Sequence, residues 1–240
     1  MRIRTEKLTK IYDSRTGSSE KTIGALDVDI TLDKGETIGL FGSSGSGKST
    51  IGQMLSGLLK PTSGKIFYDE KEISYPFRGK ERRNIQILFQ HPEVSFNPAL
   101  PLIKSMVEPY KIFNIEYSKE ILIESIQRFG LHEEHLLRKP SELSGGELQR
   151  AALSRLLTFE PEVMILDEPT SMLDVISQGQ IINMLREYQR EKGASFVFIS
   201  HNRTLCEMVC DRIYRVEHGC VAQETDGAAS FPEKTQGVSQ

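Results

Sequence analysis

At 240 residues, 38% hydrophobic and 26% charged, the chain has room for one large α/β domain with a subdomain and a sizeable core, and nothing suggests a second full domain. A net charge of −3 and a pI near 6.0 provide no global basic field to draw in nucleic acid by counterion release, so no nucleic-acid partner is expected. Three clustered cysteines (Cys206, Cys210, Cys220), no apolar signal core near Met1 and no apolar run near the roughly 20 residues of a bilayer span point to a reducing cytoplasm, with any membrane work done through a partner.

In chain order, Leu26, Val28, Ile30 and Leu32 alternate with polar residues at the period of a half-buried strand, which Asp33-Lys34-Gly35-Glu36 turns. Thr37 to Phe41 reads as a short strand feeding a glycine loop. Ile51, Met54, Leu55, Leu58 and Leu59 then fit a helix from Ser49 to Leu59, stopped by Pro61. Lys65–Tyr68 and Ile85–Phe89 are further strands, and the charged stretch 78–83 is expected as a solvated loop. From Leu102 to Thr158 the sequence turns mainly helical, with Leu102–Tyr110 helix-like and Ile121, Leu122, Ile126 and Phe129 on one apolar face. This predicts a helical subdomain over about 95–158 inserted into the α/β core. Val163–Leu166 is a strand of the fully buried kind, Ile176–Glu191 a helix, and Ser195–Ser200 another buried strand. Strand and helix alternate, so a mostly parallel sheet is expected. Val221 to Gln240 is polar and small, with little packed structure expected. The domain is set at 1–225 and a polar tail at 226–240.

Gly42-Ser43-Ser44-Gly45-Ser46-Gly47-Lys48-Ser49, followed by Thr50, satisfies G-x-x-x-x-G-K-[ST] between a strand and a helix. Its glycines let backbone N–H groups wrap phosphates, and the helix dipole favours the anion. Lys48 is expected on the β- and γ-phosphates of a bound nucleotide and the Ser49 hydroxyl on Mg²⁺. Asp167 ends an apolar strand at the carboxyl edge, where a parallel sheet places ligand groups, and suits a hydrated Mg²⁺. Glu168, one residue on, is assigned as the base or water-polarising group. Ser144-Gly145-Gly146 ahead of the helical pattern Leu148–Leu157 forms a second anion-accepting helix start. Cys206 and Cys210, at i and i+4 among Leu205, Val209 and Ile213, read as core thiols rather than metal ligands.

The phosphate loop, Gln90, Leu143-Ser144-Gly145-Gly146-Glu147, Ile165-Leu166-Asp167-Glu168-Pro169, Ser171-Met172-Leu173-Asp174 and His201, six motifs in order, resemble the ATP-binding-cassette (ABC) transporter ATPases over about residues 1–225. The resemblance implies a P-loop NTPase core with a mostly parallel sheet, an N-terminal antiparallel β region and an inserted α-helical subdomain. It makes Gln90 the lid-loop glutamine that senses Mg²⁺ and the membrane partner. Ser144, Gly145 and Gly146 fall in the signature that closes over ATP held by the opposite subunit. Asp174 falls in the loop that communicates between the two sites, His201 at the switch near the γ-phosphate, and Tyr12 where an aromatic ring stacks on adenine. The family keeps the two phosphate grips too far apart to share one ATP within a subunit, so a head-to-tail dimer is implied.

After Gln90, His91-Pro92-Glu93-Val94-Ser95-Phe96-Asn97-Pro98 is similar to the lid segment of the peptide, dipeptide and nickel importer branch. That implies an importer ATPase for peptides, nickel or metal chelates at the cytoplasmic face of the membrane. Its expected partners are a second, paralogous cassette, two transmembrane permease subunits and, indirectly, an extracytoplasmic solute-binding protein. The chain ends soon after Cys220, without the C-terminal extension of longer peptide members, which favours short nickel or metal-chelate members slightly. The alternatives are an ABC ATPase without a membrane partner, in iron–sulfur assembly or DNA maintenance, and an ordinary P-loop kinase. The importer-like lid and the lack of a coiled-coil insertion between Gln90 and Leu143 count against the first. The second has no use for Leu143–Arg150.

Overall fold

The computed structural model describes residues 2–13, 21–225 and 228–229, so the polar loop 14–20 and most of the tail 226–240 lie outside the described residues. The chain divides into two compact units, one of Met1–Phe77 with Val197–Gln240 and one of Arg78–Phe196.

The first unit opens with β1 (Ile3–Asp13), β2 (Lys21–Val28), β3 (Thr31–Leu32), β4 (Thr37–Phe41), α1 (Lys48–Leu55), β5 (Ser63–Tyr68) and β6 (Lys71–Glu72). The alternation from Leu26 to Leu32 holds on one face, with Val28, Ile30 and Leu32 all buried, but the chain is divided between β2 and β3. β1 pairs antiparallel with β2, β3 and β5, and β6 extends that sheet in the order β2-β1-β5-β6. Ile38 and Leu40 on β4 are fully buried, as a continuous apolar run requires. Helix α1 stops at Leu55, earlier than Leu59, because the chain turns at Gly57 (φ +74) and Leu58 N–H and Leu59 N–H both donate back to Gln53 O at 3.0 Å.

The second unit carries α2 (Gly79–Asn84), β7 (Ile85–Leu88), α3 (Leu102–Met106), α4 (Glu108–Ile112), α5 (Lys119–Gln127), α6 (Glu133–Leu137), α7 (Gly145–Leu157), β8 (Val163–Asp167) and α8 (Val175–Lys192). β7 and β8 pair in parallel, and the helices α3 to α7 run between them in sequence. The charged stretch 78–83 is not a loop: most of it is α2, capped by the Ile85 N–H on Glu81 O. On α5, Leu122 and Ile126 are buried with Phe129 just beyond, whereas Ile121 is 47% exposed and leaves the apolar face.

The chain then enters β9 (Ser195–Ser200), α9 (Arg203–Val209), β10 (Arg212–Glu217), β11 (Cys220–Thr225) and β12 (Ala228–Ala229). In the first unit these strands line up as β12-β11-β10-β4-β9, with β4 and β10 parallel. Part of the segment expected to be unpacked is therefore strand. A two-residue turn at His218-Gly219, both with positive φ, folds Cys220–Thr225 back on β10 and buries Ala222. Parallel pairs, an antiparallel N-terminal sheet and the helical run between β7 and β8 give the architecture expected from the sequence.

Candidate functional site

In the first unit, β4 delivers the chain into the loop 42–47 and α1 takes it away. Two of its glycines are sterically required. A Cβ on Gly42 would lie 2.3 Å from Val216 O and 2.9 Å from Ser46 Oγ, and one on Gly47, at φ +110, would lie 2.4 Å from Gly24 O. Ser43, Ser44 and Gly45 form the exposed crest of the loop, and a Cβ on Gly45 would meet nothing within 4 Å. Lys48 is only 6% exposed and lays its ammonium across the loop, donating to Gly42 O at 2.8 Å and Ser43 O at 2.6 Å. The Ser46 hydroxyl is buried without a hydrogen-bond partner. A crest of backbone, a cation across it, an orphaned hydroxyl and a helix N-terminus together have the chemistry to accept an anion.

Ser49 and Thr50 follow, half-buried, on the first turn of α1. The Tyr12 hydroxyl, at the end of β1, lies 3.4 Å from Thr50 Oγ1. A Cβ on Gly24 would stand 2.5 Å from Tyr12 Cε2, so the missing side chain lets the ring, 37% exposed, lie beside the helix start. His201 is exposed just past β9, ahead of the Asn202 side chain that caps α9 by accepting from Leu205 N–H at 3.1 Å.

In the second unit, Asp167 is the last residue of β8 and 4% exposed, while Glu168 turns half outward with a left-handed φ of +49. For a non-glycine residue that backbone costs roughly 1–2 kcal/mol, and a set of hydrogen bonds holds it. Glu168 O accepts from Ser171 N–H at 3.2 Å and Ser171 Oγ–H at 3.1 Å. Pro169 O accepts from Gln149 Nε2 at 3.0 Å, and Thr170 O accepts from Gln178 Nε2 at 3.1 Å. Gln149 was not singled out from sequence. The one available signal was a long amide in the middle of an otherwise aliphatic helix face.

Ser144 is exposed and caps α7 in a reciprocal box with Glu147. Glu147 Oε2 accepts from Ser144 N–H at 2.7 Å, the leading cause holding that carboxyl below the usual carboxylate range. A Cβ on Gly145 would stand 2.9 Å from Met172 Sδ, and one on Gly146 would stand 3.1 Å from Leu173 Cδ2. The two glycines therefore let the 171–174 segment pack against the helix start. Asp174 is a helix cap here: its carboxylate accepts from Ser177 N–H at 3.0 Å and Ser177 Oγ–H at 2.7 Å, and those bonds lower its pKa. Gln90 is exposed two residues beyond β7. Arg155 of α7 donates to Ser95 O and to Glu108, tying the signature helix to the segment after Gln90.

Cys206 is fully buried and Cys210 packs its sulfur 3.0 Å from where a Gly39 Cβ would be. A hydrogen bond to Cys206, with burial, pushes the Cys210 thiol far up. Among the described residues no group of three or more His, Cys, Asp or Glu stands close enough to hold a metal ion, and no helix is long and apolar enough to cross a membrane.

The sequence profile of the ABC transporter family matches residues 25–171. The oligopeptide transport ATP-binding protein AppF of Bacillus subtilis is 39% identical over 85% of this chain, which spans 65% of that protein's length. The oligopeptide transport ATP-binding protein OppF of Streptococcus pyogenes is 36% identical over 95% of the chain and 78% of its own length. The dipeptide transport ATP-binding protein DppF of Escherichia coli is 37% identical over 91% and 68% respectively. A dimeric ATP-binding cassette in a post-hydrolysis state bound to ADP and Pi superimposes with a TM-score of 0.81 at 27% identity, over 93% of this chain and 98% of that one.

Proposed function

Since the chain belongs to the ABC transporter family, we propose that it is the ATP-hydrolysing subunit of a peptide importer, held at the cytoplasmic face of the membrane by two permease subunits. The named relatives are oligopeptide and dipeptide transport proteins, which favours peptides over nickel or metal chelates as the solute. A second, paralogous cassette completes the working dimer, and an extracytoplasmic solute-binding protein delivers the cargo.

One observation carries this reading: a single chain owns two anion-accepting helix starts, the loop before α1 and the Ser144-capped N-terminus of α7. The first holds the triphosphate of ATP, with Lys48 and the N–H groups of residues 42–50 on the β- and γ-phosphates and Tyr12 against adenine. Ser144, Gly145 and Gly146 of the opposite subunit close on the γ-phosphate. Glu168 accepts a proton from the attacking water, and ATP and water become ADP and phosphate. His201 donates a hydrogen bond to the γ-phosphate, and the 171–174 segment, with Asp174, carries closure from one site to the other. Ser49, Gln90 and Asp167 offer hydroxyl, amide and carboxylate oxygens, the hard donors that Mg²⁺ takes. Mg²⁺, when bound, neutralises charge on the phosphate oxygens. The reading is tested by turnover per chain against protein concentration. Turnover should collapse on dilution below the dimer constant and return on adding the partner cassette and permease. Brisk hydrolysis by a strictly monomeric preparation would overturn it.

A further inference from the structure

Glu147 has a partner outside the helix it helps to open. Its Oε2 accepts from Ser144 N–H at 2.7 Å and from Ser144 Oγ–H at 3.0 Å, while its Oε1 lies 3.3 Å from Nε2 of His135. His135 sits on α6, 6% exposed, its ring 5.7 Å from that of His132. The other ring nitrogen, Nδ1, stands 2.9 Å from the backbone N of His132 and 3.1 Å from its O, so His132 alone suits either a lone pair or a proton there. The Glu147 carboxylate can only accept, which places a proton on Nε2, aimed at Oε1, and in the neutral ring leaves Nδ1 to accept from the His132 N–H.

The consequence reaches Ser144. A carboxylate pinned at Oε1 has its second oxygen fixed, and that oxygen receives both the N–H and the hydroxyl proton of Ser144. The Ser144 Oγ in turn accepts from Glu147 N–H at 3.3 Å. Without the His135 bond, Glu147 would be held from Ser144 alone, and its terminal torsion, broad for an sp²-ended side chain, would let Oε2 shift. The Ser144 hydroxyl proton would then be directed less sharply.

We propose that His135 is a positioning residue for the ATPase reaction: through Glu147 it sets the direction of the Ser144 hydroxyl before the signature helix closes on the nucleotide of the opposite subunit. This rests on the split-pocket reading of Ser144 given above. The role is a matter of orientation, so it acts at closure and turnover and leaves the first nucleotide grip untouched.

The test compares His135→Leu and His135→Gln in the full chain, assembled with its partner cassette and permease. The glutamine amide returns an N–H near the Nε2 position. Affinity of the isolated chain for a fluorescent ATP analogue should stay within twofold for both. Turnover of the complex should fall about tenfold in His135→Leu, the size of one hydrogen bond to a charged group, and return to within threefold in His135→Gln. In a Glu147→Gln background the His135→Leu change should add little, because the bond it removes is already altered. Undiminished turnover in His135→Leu, failed recovery in an equally folded His135→Gln, or a full tenfold loss on top of Glu147→Gln would each overturn the proposal. Should His135→Leu prevent folding, the ¹⁵N shifts of the His135 ring in the unmodified chain decide: protonation at Nδ1 instead of Nε2 overturns it. Ser144→Ala separates the two readings. Turnover that falls with Ser144→Ala but not with His135→Leu sinks this inference alone, whereas unchanged turnover in Ser144→Ala sinks the split pocket and this inference with it.

Discussion

Gln149 Nε2 donates to the carbonyl oxygen of Pro169 at 3.0 Å, and the side chain that does so is completely buried. The bond joins the middle of the signature helix to the turn that carries Glu168, so two motifs 20 residues apart share one support. Gln149→Leu keeps the volume but leaves the Pro169 carbonyl without that partner, at a cost of about 1–3 kcal/mol. The expected result is a lower melting temperature and a several-fold drop in turnover with ATP affinity retained, read by thermal denaturation and steady-state hydrolysis. A chain equally stable and equally active would show that the turn needs no such support.

Glu168→Gln removes the proton acceptor but keeps size and hydrogen bonding. ATP should still bind and the closed dimer should accumulate, because the step that reopens it is blocked. Turnover should fall by about 10²–10⁴-fold, the range for loss of a general base. Size-exclusion chromatography with ATP and phosphate-release assays read both effects, and wild-type turnover would refute the assignment.

Gly47→Ala places a methyl 2.4 Å from Gly24 O at a φ of +110, which an L side chain rarely adopts. The contact is with backbone, so neither side yields cheaply. Nucleotide binding should be lost, while Gly45→Ala, at φ +76 with open space around its Cβ, should be strained but retain part of it. Isothermal titration with ATP separates the two, and equal affinities would contradict the steric argument.

The legible parts of this molecule were those whose cause is contiguous in sequence. The run Thr37–Phe41, the glycine loop and the helix after it form one local unit, and Val163–Leu166 is apolar and buried throughout. Elements decided at a distance were missed. Helix α2 is anchored by Asn84, whose side chain donates to Glu162 and whose carbonyl accepts from Glu162 N–H at 2.9 Å, a residue 78 positions away. The single helix expected over Leu102–Tyr110 became α3 and α4 because Pro109 has no N–H with which to continue the ladder. Strand β11 depends on its partner β10, and the His218-Gly219 turn was the local sign of it. The site divides the same way. Its motifs are contiguous and readable, but Gln149 and His135 act on residues 20 and 12 positions away, and the lone amide on an aliphatic helix face is the one local sign of either.

Arg212 grips Glu36 with a forked pair, its Nε on Oε1 and its Nη2 on Oε2 at 2.8 Å, and the same guanidinium donates to Thr31 O at 3.0 Å. Burial pulls the Glu36 carboxyl upward, but the bonds from Arg212 and from Asp33 N–H, with the Arg212 charge, outweigh it and leave the pKa below the ordinary value. A carboxyl depressed in the folded state stabilises the fold above its unfolded value of about 4.3 and loses that contribution as pH falls through the folded value. The chain should therefore weaken on acidification from about pH 5 downward. Arg212→Met should cost about 1–3 kcal/mol at pH 7 through the lost charged hydrogen bonds and should flatten that acid limb, because Glu36 then titrates nearer its unfolded value. Urea midpoints at pH 7 and pH 4 for both chains measure the difference. An identical pH dependence in the two would show that this pair contributes nothing to acid sensitivity.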